Sequence, residues 1–197
     1  MKKMFFAVVV VSMFSFSIPK SYNLGDTVDD FNLKNVDGKM VSLSSFKNNK
    51  GVILVFDCNT CPYSKAYNDR IIALGKKYKD SFPLVAINAN DPDQSPGDSF
   101  DQMVSYAKNK GYTFPYLVDG SQEVAKAYGA TNTPHVFVLN KTNNSYKVVY
   151  IGTIDNNPRS AASATKKYVE MAVDACLAGK EVELAKTKAI GCGIKYR

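Results

Sequence analysis

A chain of 197 residues with 45% hydrophobic and 12% aromatic content holds enough apolar material for one domain with an ordinary core, so it has no need of disulfides to fold. The formal net charge is +7, but the lysines are scattered and no basic run is interleaved with aromatics. This excludes a nucleic-acid footprint and leaves a solvated surface with only a leaning toward acidic partners.

Residues 1–17 read as a secretory signal. Lys2 and Lys3 form a charged start, Phe5 to Phe16 is an apolar-and-serine run, and Ser15-Phe16-Ser17 supplies small residues around a cleavage point, so the mature chain is expected to start near Ile18. The run is shorter than the ~20 residues of a spanning helix, and no second apolar segment follows. The expected product is exported, periplasmic in a two-membrane host, and not inserted in a membrane once the signal is gone. Disulfides persist in such compartments, so the four cysteines, Cys58, Cys61, Cys176 and Cys192, become informative.

A domain over residues 22–197 follows. "VDDFNLKNVDGKMVSL" alternates apolar and polar positions around Asp37-Gly38, which predicts an N-terminal β-hairpin. "GVILVFD" at 51–57 is a short continuous apolar run, as in a strand covered on both faces. Tyr67, Ile71, Leu74 and Tyr78 then recur at helical spacing, with Pro62 suited to the first turn, where its missing N–H costs little. A strand at 82–88 leads through the polar loop "ANDPDQSPGD" to a helix at about 100–109, then "FPYLVD" and a short helix at 122–128. "HVFVLN" and "YKVVYIG", joined by "KTNNS", predict an antiparallel hairpin, and a last helix is expected from about Ser160 to Ala178 before the tail "GCGIKYR". The order implies an α/β fold with helices on both faces of a mixed sheet.

The pair Cys58-Asn59-Thr60-Cys61 lies where the central strand hands over to a helix. A thiol reacts as thiolate, and the partial positive charge of a helix N-terminus favours that form. Two intervening residues let one sulfur reach the other, so a mixed disulfide formed on one can be resolved by its neighbour without a cofactor. A zinc site would need four ligands, whereas the chain has one histidine and no second close cysteine pair. A permanent structural staple is the plainer alternative.

These features resemble the thioredoxin superfamily, nearest to its exported, peroxiredoxin-like redoxin branch. The likeness runs from about Gly25 to Arg197 through "GDTVDDFNLKNVDGKMVSLSSF", "CNTCPYSKAYNDRI", "NTPHVFVLN" and "GCGIKYR". It implies a thioredoxin-like fold and thiol–disulfide exchange with protein or small-molecule disulfides, with Cys58 and Cys61 catalytic. Thr133 and Pro134 would be the element, cis at proline, that holds an incoming chain. The peroxidase pattern of Pro, three residues, Thr or Ser, two residues, Cys is broken in either register: Cys58 and Leu54 precede Cys61 at the key positions, and Val55 and Gly51 precede Cys58. The family's distant arginine would fall near Pro134, and the chain's arginines are Arg70, Arg159 and Arg197. Peroxide reduction is therefore the weaker alternative. By the thioredoxin pattern Cys58 attacks and Cys61 resolves; yet Cys61-Pro62-Tyr63-Ser64 also resembles a single-thiol glutaredoxin motif.

Among auxiliary residues, Cys192 is read as a resolving or docking thiol or else as a merely packed one, and Cys176 as a core thiol. His135 either tunes the sulfurs or is an ordinary strand histidine. With Cys58 and Cys61 it would make a copper-delivery site, although such proteins usually have three residues between their cysteines. Asp57 and Lys65 are expected to shift the thiols in opposite directions. Asn140 and Asn143 match glycosylation acceptors but read more simply as turn residues.

Overall fold

The computed structural model describes residues 21–197; the expected signal segment lies outside them. Eight strands form one mixed sheet. In chain order they are β1 (Thr27–Val28), β2 (Asn32–Asn35), β3 (Met40–Ser42), β4 (Gly51–Phe56), β5 (Leu84–Asn88), β6 (Tyr116–Val118), β8 (His135–Thr142) and β9 (Ser145–Gly152), arranged β1-β9-β8-β4-β5-β6-β2-β3. A separate two-stranded ladder joins β7 (Asn132–Thr133) to β10 (Cys192–Gly193). The helices are α1 (Pro62–Lys77), α2 (Phe100–Lys110), α3 (Glu123–Tyr128) and α4 (Tyr168–Leu177). This is the thioredoxin-like α/β architecture that the sequence suggested.

β4 is the centre of the sheet, parallel to β5 and antiparallel to β8, and all six of its residues are buried. The period-2 geometry of a strand sorts them. Val52, Leu54 and Phe56 face a cluster with Phe31, Tyr128, Phe137 and Ile194. Ile53 and Val55 face Tyr67, Ile71 and Leu74 of α1, Met103 of α2 and Val169, Ala172 and Val173 of α4. Each such fully buried aliphatic is worth roughly 1.5–3 kcal/mol, so the strand that ends at the cysteine pair is anchored by packing on both faces. An apolar run buried on both faces cannot show alternation, which is why the segment reads as continuous.

The N-terminal hairpin pairs β2 with β3 across the turn at Asp37-Gly38, and β2 also pairs with β6, so the hairpin extends the sheet edge. β8 and β9 form the second hairpin, with Asn143 in the turn at φ +56°. The last helix is shorter than expected: 160–167 is not helical, and α4 begins at Tyr168. "SAASATKK" has no apolar stripe to bury, and asparagine side chains compete for its backbone. Asn157 Oδ1 accepts from the N–H groups of Arg159 and Ser160, and Asn156 Oδ1 from those of Thr165 and Lys166. No helix among the described residues is long and apolar enough to cross a membrane.

Candidate active site

Beyond Phe56 the chain leaves the sheet through Asp57 and Cys58 and enters α1 at Cys61, its N-cap residue, with Pro62 in the first helical position. The Lys65 N–H donates to the Cys61 carbonyl at 3.0 Å and closes the first turn, while no side chain caps the helix. The Cys61 side chain makes no cap hydrogen bond, whereas the Cys61 N–H acts on Cys58, so the positive end of the helix dipole lies beside both sulfurs.

Opposite stands the Thr133-Pro134 peptide, which is cis. Thr133 touches both cysteines of the pair. Its hydroxyl lies 3.1 Å from Cys58 Sγ, and its carbonyl oxygen 3.1 Å from Cys61 Sγ. A third sulfur completes the group: Cys61 is disulfide-bonded to Cys192, with 5.9 Å between their Cα atoms, and Cys58 is free and buried. Cys58, Cys61, Thr133, Pro134, Pro62 and Cys192 thus meet in one place.

Burial pushes the Cys58 thiol up, and the negative charges of Asp98 and Asp57 add to this; the Thr133 hydroxyl and the Cys61 N–H oppose it. Lys65 is exposed and is not among the charges acting on Cys58. Asp57 itself is buried, and one carboxylate oxygen has no partner. Desolvation lifts its pKa to about 6 against hydrogen bonds from Ser64 and the Cys58 N–H. Cys176 is half-buried on α4, far along the chain from this cluster, and burial raises its thiol as well.

His135 is buried at the start of β8, directly after Pro134. Its Nδ1 accepts from the Thr131 N–H at 3.3 Å and its ring lies 4.8 Å from that of Phe137, while desolvation lowers its pKa to about 4. It is a packed, neutral strand histidine. Among the described residues no three His, Cys, Asp or Glu side chains come together to hold a metal ion, so the copper constellation is not assembled.

One functional group escaped the sequence reading. Asp98, at the end of the polar loop, is buried and holds the spacer between the cysteines. It accepts from the Asn59 N–H at 2.7 Å, Thr60 Oγ1 at 2.7 Å, Ser95 Oγ at 2.6 Å, and Asn88 and Asn90 at 3.2 and 2.9 Å. Burial alone would raise its pKa; the hydrogen bonds from Ser95, Asn90, Thr60 and Asn59 outweigh that and lower it. "DQSPGD" carries only turn signals, so nothing in the sequence marks which of its acids turns inward. Asp98→Asn, which points amide hydrogens at existing donors, is expected to cost about 1–2 kcal/mol, measured as a lower urea midpoint. An unchanged midpoint would show that the spacer holds itself.

Residues 24–151 match the AhpC/TSA family, more than half of the chain. The thiol-disulfide oxidoreductase ResA of Geobacillus thermodenitrificans (strain NG80-2) is 27% identical over 134 residues, 66% of this chain and 71% of the relative. A solved structure of an uncharacterized conserved protein from Geobacillus kaustophilus superposes with a TM-score of 0.82 at 37% identity, covering 89% of this chain and 93% of the other. A hypothetical protein from Sinorhizobium meliloti 1021 does so with 0.82 at 34%, covering 90% and 97%. The fold is shared more widely, for instance with a putative thiol:disulfide interchange protein DsbE from Chlorobium tepidum, TM-score 0.62 at 23% identity, covering 80% of this chain and 99% of that one. With its strand-to-helix cysteine pair, its cis proline and this match, the chain belongs to the AhpC/TSA family.

Proposed function

We propose that Cys61 and Cys58 are the reacting couple of this site and that they exchange electron pairs with the disulfides or thiols of a partner. The chain is a thiol–disulfide oxidoreductase. The observation that carries the residue assignment is the bond from Cys61 to Cys192, made beside Thr133, with the free Cys58 against the same threonine. In this reading a dithiol donor first reduces the Cys61–Cys192 bond, and the freed Cys61 thiolate attacks a partner disulfide and forms a mixed disulfide, releasing the partner's second sulfur as thiolate. Cys58 then attacks Cys61 Sγ, forms the Cys58–Cys61 disulfide and frees the partner's first sulfur. Two electrons pass to the partner, and the reverse sequence oxidises it.

This reverses the order expected from the thioredoxin pattern, in which Cys58 attacks first. The reason is geometric: Cys61 is the sulfur joined to a cysteine on the extended segment along Thr133, and Cys58 is the free, buried thiol beside it. Thr133 and Pro134 would hold the partner chain. Export to a periplasm-like compartment is part of the reading and rests on the charged and apolar start at Lys2 to Phe16. Peroxide chemistry is less well supported. Arg70, the arginine on α1, is engaged by Asp155 and the carbonyls of Ala66, Asn157 and Pro158, and Arg197 by Asp91.

The test is the reduction potential of the Cys58–Cys61 couple in a Cys176→Ser/Cys192→Ser variant, equilibrated in glutathione or dithiothreitol buffers. A value near roughly −270 mV marks a reductant and one near −120 mV an oxidant. A potential well below about −300 mV with slow exchange would make the pair a staple and defeat the proposal.

A further inference from the structure

The strand seated on Thr133 comes from this chain's own C-terminus. β10 runs antiparallel to β7, with Cys192 opposite Thr133 and Gly193 opposite Asn132. The Asn132 side-chain amide donates to the Gly191 carbonyl at 3.0 Å, and the Ile194 N–H donates to the Thr131 carbonyl at 3.0 Å. Ile194 is buried in the core beneath, and Tyr196 Oη donates to the Ala130 carbonyl. An extended segment lies along the residues before Pro134 and delivers a cysteine to Cys61. That is the pose a partner's cysteine has to reach.

The position before the cysteine is restricted. A Cβ placed on Gly191 would overlap the carbonyl of Thr133 and crowd the Pro134 nitrogen. Those are backbone atoms next to a proline, inside a ladder, and they cannot swing aside as a flexible side chain would. Gly193, on the other side of the cysteine, meets nothing.

We infer that the edge formed by Thr131 to Thr133 is a docking site for an extended partner segment in which glycine immediately precedes the reactive cysteine, and that residues 190–194 of this chain occupy it as the resident competitor. The inference rests on the reading that Cys61 exchanges disulfides with a partner. Strand addition supplies main-chain hydrogen bonds for affinity, and the missing Cβ supplies selectivity. When Cys61 attacks a docked segment, the bond formed is Cys61 Sγ to the cysteine sulfur, and the bond broken is that cysteine's existing disulfide. The displaced sulfur leaves as thiolate.

The experiment uses full-length Gly191→Val/Cys192→Ser, in which the tail is unseated and cannot react. The reduced protein is mixed with acetylated hexapeptides Ala-Ile-Xaa-Cys-Gly-Ile, with Xaa glycine, alanine or valine, each activated as a disulfide with a chromogenic thiol. Glutathione disulfide is the control for an intact Cys61. Overpacking against fixed backbone predicts that the glycine peptide reacts about tenfold to a hundredfold faster than the valine peptide, with alanine between. Equal peptide rates with normal glutathione disulfide turnover would overturn the docking inference and leave the exchange reading intact. Failure with every disulfide would defeat the exchange reading itself. In a Gly191→Val chain that keeps Cys192, mild oxidation is expected to give much less Cys61–Cys192 bond than in the wild type. An unchanged yield would also overturn the inference.

Discussion

Cys61→Ser is expected to abolish formation of a mixed disulfide with any partner, a loss of roughly a thousandfold or more in the rate of exchange. Cys58→Ser is expected to have the opposite signature. The first attack still occurs, but the mixed disulfide on Cys61 accumulates, because the neighbouring thiol that would displace the partner is gone. Mass spectrometry of adducts trapped with a disulfide substrate separates the two, with Cys192→Ser in the background so that the tail cannot resolve the adduct. The roles follow from position: Cys61 is the sulfur that an extended segment already reaches, and Cys58 is 1% exposed, its pKa raised by burial first and then by Asp98 and Asp57. Resolution is accordingly expected to quicken with pH through the range where an ordinary thiol is already ionised. Adducts that form on Cys58 in the Cys61→Ser protein would return the first attack to Cys58.

The second large effect concerns pH and stability. Asp57 has its pKa raised from 3.8 to about 6, and His135 has its pKa lowered from 6.5 to about 4, both through desolvation first. The folded state therefore holds more protons on Asp57 than the unfolded chain does. That stabilisation is complete below pH 4 and lost as pH rises through 6. His135 works the other way: the folded state refuses its proton, so stability is retained above pH 6.5 and lost as pH falls toward 4. Each shift is worth about 3 kcal/mol, and over pH 4–6.5 the two slopes oppose each other. Asp57→Asn is expected to stabilise the protein at pH 7 and to lose about 3 kcal/mol between pH 7 and pH 4, in urea titrations at several pH values. His135→Phe should gain stability over the same interval. An Asp57→Asn protein with the wild-type pH slope would refute the assignment. The same variant removes a negative charge beside Cys58, so its thiol should ionise at lower pH.

Much of this was legible in the sequence, for identifiable reasons. β4, α1 and the β8–β9 hairpin carry strong patterns: a continuous apolar run, tyrosine and aliphatic residues at helical spacing, and two apolar runs around a turn-forming stretch. The cysteine pair and Thr133-Pro134 were recognisable through resemblance; composition alone favours a trans bond at Pro134. What could not be read depends on long-range packing. Nothing near Asp98 says that it reaches the Asn59 N–H 39 residues away. β1 is two residues long and is defined only by its partner, β9. The meeting of Cys192 with Cys61 is set by the path of the tail, which pairs in parallel with β9 at Ile151 before reaching β7. Spacing had singled out only the nearer pair.

The span of that cross-link ties the redox state of the site to the stability of the whole molecule. Cys61 and Cys192 are 131 residues apart, so their bond restrains most of the unfolded chain and by loop-closure entropy is worth about 5 kcal/mol. A bond between Cys58 and Cys61 closes a four-residue ring, worth only about 2 kcal/mol by the same reasoning. Moving one disulfide between Cys192 and Cys58 changes neither the number of electrons nor the number of disulfides, yet it exchanges a belt around the molecule for a local clasp. The protein can therefore loosen globally without being reduced.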